Sequence, residues 1–313
     1  MSTLNRKAWG DLTRHRARTL LAMFTLAIAI ASLSFFAVPA LLDGAMGRQV
    51  RQSHLYDVAV SMHVLDLSAG QLRALGRLPG VAAVSPALGY TARATSAAGT
   101  EDVLIAGTAL SSAPVDTIPL LSGRLPGPDA ALADGGNARA TDYATPIGST
   151  LSVRAADGRT VRVRISGTGI NLYSTPGANG STTPVFYATP ATVESLAGQR
   201  GYNFLGFRLT RDTTAEQNRV IAEVRRYLTA QTGSDPITAL PQTRDPGQWP
   251  GQSAFKHEIA LLYIITILAL LSALFLISAT MNSLIAEQAS ESAILKTLGG
   301  RRRQISGIVV RSA

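Results

Sequence analysis

The 313-residue chain contains no cysteine, three lysines and four histidines. Without cysteine there is no disulfide framework, no thiolate nucleophile and no thiolate-bound metal. Lys7, Lys256 and Lys296 do not follow a glycine-rich loop, so no Walker A phosphate cradle is present. His15, His54, His63 and His257 lack metal-ligand spacing. There is no G-x-S-x-G elbow to present a nucleophilic serine. No catalytic residue, metal ligand or cofactor is therefore assigned, and a secreted enzyme ranks last among the readings considered.

Charge is also absent from two long stretches, Thr19 to Leu42 and Ile259 to Leu284. Each exceeds the roughly 20 apolar residues that cross a bilayer core. Val38-Pro39-Ala40 would serve as a signal-peptidase site, but the first run is longer than a signal peptide's apolar core of about 7–15 residues, which favours an uncleaved anchor. Apolar on every face, the second run fits a membrane helix better than a buried soluble one.

The net charge of +9 is distributed in a way that argues against nucleic acid as a partner. Residues 1–19 hold five basic residues against one acid, among them Arg14, Arg16 and Arg18. Residues 258–313 hold five against three, with Arg301, Arg302 and Arg303 adjacent. The dense clusters flank both runs on one side, the positive-inside pattern. Both ends are then cytoplasmic, residues 43–257 lie outside, and anionic lipid headgroups are the partners expected for the basic clusters. Leu4, Ala8, Trp9 and Leu12 share one helical face of the basic leader, which predicts an amphipathic helix on the membrane surface. The strong preference for arginine over lysine reads as codon bias rather than a binding signature.

Between the runs the pattern is mixed α and β. Residues 56–62 alternate like a strand, Ser68 can cap a helix that Pro79-Gly80 ends, and 81–88 and 101–107 read as two further strands. Residues 111–150, rich in Gly, Pro, Ala and Ser, carry no assigned element. Asp157-Gly158 between two alternating segments predicts a hairpin. Residues 171–184 read as a long loop, 185–188 as a strand, and Thr189-Pro190 as a helix start. A strand over 204–210 precedes an amphipathic helix over 214–229 that turns Val220, Ile221, Val224 and Leu228 inward. Residues 245–252 form a Pro/Gly linker whose Trp249 reads as interfacial. Thr266, Ser272 and Ser278 in the second run, like Ser34 in the first, read as helix-packing contacts rather than a transport path.

The most specific stretch follows the second run, "IAEQASESAILKTLGGRRRQI" over 285–305. It resembles the cytoplasmic hallmark of the FtsX/MacB-type ABC transporter permeases, also called type VII or mechanotransmission permeases, roughly E-[IR]-[GA]-x-[LM]-[KR]-[AT]-[LI]-G-[AG] followed by basic residues and an apolar helix. Glu291, Ala293, Leu295, Lys296, Thr297, Leu298, Gly299 and Gly300 match; Ser290 and Ser292 depart. The segments "LGRLPGVAAVSPAL" (75–88), "LLSGRLP" (120–126) and "IGSTLSVRAADGRTVRVRISG" (147–167) resemble pieces of the family's outer domain in the same order.

The resemblance implies a fold class of two transmembrane helices flanking an extracytoplasmic MacB-like α+β domain with a β-rich insertion. The layout expected is an amphipathic leader (1–19), a first span (20–42), an outer domain (43–257), a second span (258–284), a coupling helix with a basic turn (285–304) and the start of a third span (305–313). Within the outer domain the α/β halves are expected at about 48–110 and 184–245, and the insertion at about 111–170. The implied protein is a non-catalytic permease subunit in the bacterial plasma membrane. It dimerises with a second copy and is driven by a separate cytoplasmic ATPase subunit. Glu287, Glu291, Ile294, Leu295, Lys296, Leu298, Gly299 and Gly300 are the implied ATPase contacts. Since family members have four spans, the sequence as given is expected to be a fragment or truncated product. The alternative is a two-span sensor or scaffold with a ligand-binding outer domain.

Overall fold

A computed structural model describes residues 38–136, 143, 145–174 and 183–297, together with positions 23, 27 and 30; for 254, 280, 281, 283–285 and 287–297 the description is of backbone only. The chain divides into two compact units, Asp43–Phe255 on one hand and Met1–Leu42 with Lys256–Ala313 on the other. The basic leader, and the expected first span before residue 38 apart from those three positions, lie outside the described residues.

Helix α1 (Val38–Gln52) enters the Asp43–Phe255 unit. Strand β1 (Val58–Leu65) follows, then helix α2 (Ala69–Leu75). Helix α2 starts where Ser68 and Gln71 form a reciprocal capping box, each satisfying a backbone N–H that the first turn leaves without a partner. Strands β2 (Val81–Ser96) and β3 (Gly99–Gly107) complete the expected β-α-β-β unit. Two strands then occupy the segment left unassigned from the sequence, β4 (Leu120–Gly123) and β5 (Ala130–Asp134). The predicted hairpin is β6 (Thr150–Arg154) and β7 (Thr160–Gly169), with Gly158 at φ +85° as its turn requires. Strand β8 (Val185–Ala188), helix α3 (Pro190–Ala197, capped by Thr189), strand β9 (Tyr202–Leu209) and helix α4 (Thr214–Thr232) follow as read. The short β10 (Gln242–Thr243) leads to helix α5 (Gln252–Thr297).

Strand β2 joins two sheets. Its first half pairs with β9, which pairs with β1, which pairs with β10, all antiparallel. The two α/β segments therefore share one sheet, with β9 between β1 and β2. The second half of β2 pairs with β3, and β3–β8–β5–β7–β6 returns to β2, closing a ring of six strands. The insertion is thus not a separate body: β5, β6 and β7 complete a barrel whose other walls come from the flanking segments. Closure removes strand edges that would otherwise present unpaired backbone groups.

Each sheet has its own core. Helices α2 and α4 cover one face of β1–β9–β2, where Val58, Val60, Leu205 and Phe207 meet Leu75, Val220, Val224 and Leu228. Full burial of each such side chain is worth about 1.5–3 kcal/mol. The barrel interior holds Val103, Ile105, Leu151, Val153, Val163 and Ile165, with Val193 and Leu196 of α3 in the same cluster. Tyr143 is buried in that core and donates its hydroxyl to Ala94 O at 3.1 Å.

Candidate functional site

Strand alternation sends successive side chains to opposite faces. On β1, β2 and β9 the face turned away from α2 and α4 carries small or polar residues: Ala59, Ser61, Ser85, Ala87, Gly206 and, as the one large exception, Phe204. Opposite it stand Leu104 and Ala106 of β3, Val185 and Tyr187 of β8, the loop residues Asp116 and Asn171, and Tyr173 of the 3-10 turn Leu172–Ser174. Small side chains facing a second wall leave space, here a cavity of about 420 Å³.

Aromatic rings and hydrogen bonds fix this lining. Tyr56 stacks on Tyr173 with centroids 3.9 Å apart and planes 3° from parallel, and Phe204 meets Tyr56 edge-on at 5.7 Å. Tyr173 Oη donates to Tyr56 O at 2.7 Å, and Tyr56 Oη donates to Gln242 Oε1 at 2.9 Å. Tyr187 Oη donates to Asp134 Oδ2 at 2.7 Å. Burial raises all three phenols well above the ordinary tyrosine range, with neighbouring acidic groups adding to the effect, so each stays a neutral donor. Asp116 Oδ2 accepts from Asn171 Nδ2 at 2.8 Å, while Asp116 Oδ1 is buried and accepts no hydrogen bond. Burial pushes the Asp116 carboxyl up to about 7, against the opposing pull of the Asn171 hydrogen bond.

Next to the cavity a polar clamp holds the chain's return path. Arg244 pairs with Asp57 and, at 3.1 Å, with Asp212; its Nη1 donates to Gln248 O at 2.7 Å. Asp57 Oδ2 accepts from Leu209 N, and Asp212 Oδ2 accepts from Gly247 N, both at 2.8 Å. Burial alone would lower the Arg244 pKa, but the hydrogen bond to Asp57 and the charges of Asp212 and Asp57 outweigh it and the net shift is upward. Trp249 is 8% exposed and donates Nε1–H to Asp43 Oδ1 at 3.0 Å; Gln252 donates to the same oxygen at 3.2 Å. The residue read as interfacial is therefore part of the packing of the Asp43–Phe255 unit, tying the start of α5 to α1.

Helix α5 carries the second charge-free run. Its segment Phe255–Ala279 is long and apolar enough to cross a membrane, the one such helix among the described residues. At about 1.5 Å per residue it extends about 37 Å, more than the roughly 30 Å hydrocarbon core. Leu261, Ile264, Leu268, Leu271, Leu274 and Phe275 are exposed around it. Thr266, Ser272 and Ser278 donate to the carbonyls of Leu262, Leu268 and Leu274, so their hydroxyls are satisfied within the helix.

The expected ATPase contacts Glu287, Glu291, Ile294, Leu295 and Lys296 lie on α5, which continues without a backbone break from the apolar segment to Thr297. Leu298, Gly299, Gly300, Arg301, Arg302 and Arg303, like Arg14, Arg16 and Arg18, lie outside the described residues. Among the described residues no group of three His, Asp or Glu is arranged to hold a metal. The sequence reading missed Asp116, Asn171, Tyr187 and Arg244. They are separated by tens of residues and follow no local spacing; only the sheet pairing brings them near the cavity and the clamp.

The family model of the MacB-like periplasmic core domain matches residues 19–227, more than half of the chain. No curated protein matches. Solved structures of 32 chains are similar, two of them as follows. One is the extracellular domain of the noncanonic ABC-type transporter YknZ from Gram-positive bacteria, at 13% identity and a TM-score of 0.38 over 60% of this chain and 100% of that one. The other is the periplasmic region of MacB from Actinobacillus actinomycetemcomitans, at 12% identity and a TM-score of 0.41 over 67% and 95%. Likeness at that level carries no functional argument; the family match does. The chain belongs to the MacB-like periplasmic core domain family, the outer domain of FtsX/MacB-type ABC transporter permeases.

Proposed function

We propose that the protein is the permease subunit of an FtsX/MacB-type ABC transporter, coupling the motion of a cytoplasmic ATPase to its outer domain. The observation that carries the reading is the family match over 19–227, which precedes a membrane-length apolar helix that runs on into the hallmark sequence. In this reading residues 20–42 and 258–284 span the membrane, 43–257 lie outside, and two copies assemble on two ATPase subunits. ATP is hydrolysed in the partner. Arg14, Arg16, Arg18, Arg301, Arg302 and Arg303 sit at anionic headgroups.

Force transmission needs stiff connections, and two features support them. Helix α5 is continuous over Gln252–Thr297. Its entry is bound to α1 through Asp43, while the Arg244 clamp holds the preceding segment. On a helix with 3.6 residues per turn, positions 287, 291, 294 and 295 fall along one side and position 296 on the opposite one. Glu287, Glu291, Ile294 and Leu295 thus form the proposed ATPase contact, continued by Leu298 and the turn at Gly299-Gly300, and Lys296 contributes least. Co-purification with the cognate ATPase tests this. The double variant Glu291→Ala, Leu295→Asp is expected to abolish capture, and Lys296→Ala to reduce it only slightly; undiminished capture by the double variant would refute the assigned surface.

A second reading, a membrane sensor or scaffold with a ligand-binding outer domain, is favoured by one observation, the cavity with its unpaired carboxylate oxygen. The two readings separate at the same experiment, since a sensor has no need of the ATPase.

A further inference from the structure

The cavity has a lining that force transmission leaves unused. Its volume of about 420 Å³ falls within the roughly 300–1,000 Å³ of small-molecule sites. Leu104, Ala106, Ile118 and Val185 give it an apolar wall, and Tyr56 and Tyr173 give it aromatic surface. Among the described residues lining it, Asp116 is the sole aspartate or glutamate, and no lysine, arginine or histidine faces it.

Asp116 is hard to explain as scaffolding. Its φ of +60° suits a turn, but asparagine or glycine would serve the turn as well. Its backbone N–H is bonded to His54 O at 2.9 Å, so the side chain is not needed there. One carboxylate oxygen is held by Asn171, and the other is buried without a donor. A buried acceptor left unmade costs free energy, and a buried charge without a countercharge costs more. The neutral phenols and amides nearby donate hydrogen bonds but provide no positive charge.

We propose that this cavity binds a small organic amine, whose ammonium donates to Asp116 and whose apolar body packs against Leu104, Ala106, Ile118 and Val185. The carboxylate supplies the charge-assisted hydrogen bond. The Tyr56 and Tyr173 rings supply the cation-compatible surface. Anionic ligands are disfavoured by the same carboxylate. Because burial pushes the Asp116 carboxyl up to about 7, a bound ammonium also provides the countercharge that lets it ionise. The site does not depend on the ATPase reading: failure of capture by an ATPase leaves it standing, and its own failure leaves the coupling surface standing.

The test uses the full chain in detergent micelles, with protein-free micelles as the partition control. Benzylamine, 2-phenylethylamine and cyclohexylamine are titrated against their matched neutral alcohols by saturation-transfer NMR and calorimetry. At least one amine is expected to bind saturably, and its alcohol about ten-fold or more weaker, the loss of one charge-assisted pair. Asp116→Asn is expected to remove that preference while leaving the alcohol unchanged. Thr238→Trp, at an exposed lining position, is expected to block amine and alcohol alike with the melting temperature retained. Absence of saturable binding for all three amines, equal affinity for amine and alcohol, or full amine binding in either variant overturns the proposal.

Discussion

The two faces of the β1–β9–β2 sheet are built from the same strands and have opposite contents. On the α2/α4 face the alternate positions are Val58, Val60, Leu205 and Phe207, all inaccessible to solvent and filled against helix side chains. On the other face the intervening positions are Ala59, Ser61, Phe204 and Gly206, and the space above them stays open. Propensity does not distinguish the two, because neighbouring residues of one strand serve both. What differs is volume: large branched side chains close the first face to native density, and small ones leave the second as a chamber with polar groups in its wall. Stability is concentrated on one face of this sheet and recognition on the other.

The largest test of that division is truncation of one phenylalanine on each face. Phe207→Ala removes a fully buried ring from the helix-covered core and is expected to cost about 3–5 kcal/mol. Phe204→Ala removes a ring that already borders open space, so it adds to an existing cavity and is expected to cost clearly less. Urea unfolding followed by Trp249 fluorescence in a Trp9→Phe background measures both. Equal losses would mean that the two faces carry the fold equally.

Much of this architecture could be read from local chemistry, and the boundary of legibility has physical causes. The Ser68 cap, the Asp157-Gly158 turn, the Thr189-Pro190 helix start and the Val220, Val224, Leu228 stripe each follow from neighbours in sequence, and each appears as expected, although the helix after Ser68 ends at Leu75 rather than at Pro79-Gly80. Strand β5, Ala-Ala-Leu-Ala-Asp, escaped because it is buried at every position and so has no alternation, and alanine carries no β preference. Strand β2 was read only to Leu88. Its continuation to Ser96 depends on switching partners from β9 to β3, which is a tertiary event. The cavity was illegible for the same reason: Asp116, Asn171 and Tyr187 converge through β3–β8 and β5–β8 pairing. The hallmark at 285–305 was legible as a resemblance, carried by its own local spacing of Glu291, Leu295, Lys296, Gly299 and Gly300.

A smaller effect sharpens the contrast through pH. The Asp116 carboxyl is raised from 3.8 to about 7 by burial in the cavity wall. Below the unfolded value both states are protonated and Asp116 carries no penalty. As pH rises toward 7 the unfolded chain gives up its proton while the folded one keeps it, so Asp116 draws stability down across that interval and the loss is complete above it. Asp116→Asn removes the titration. The variant is therefore expected to gain stability relative to the parent as pH rises from about 4 to about 7, with a constant difference above. Melting curves of both proteins across that range decide the matter, and a difference that does not change with pH would show that Asp116 titrates normally.

The smallest effect expected is at Gly206, and it probes whether the chamber is open by necessity. A Cβ built there would lie 3.5 Å from Tyr56 Cβ and Cδ1 and 3.6 Å from Val115 Cγ1, ordinary van der Waals contact. Replacing an interior strand glycine by alanine also recovers roughly 0.5–1 kcal/mol of backbone entropy. Gly206→Ala is thus expected to melt at or slightly above the parent. Gly201 offers the opposite case, since at φ +116° its Cβ would come within 2.5 Å of Leu65 O, and Gly201→Ala should lower the melting temperature markedly. A fold under selection for tight packing alone would favour alanine at 206. If Gly206→Ala is neutral or stabilising yet weakens amine binding, the glycine is there for the volume of the chamber and not for the strand. If it destabilises as Gly201→Ala does, the small residues on this face are required by packing, and the division between the two faces fails at this position.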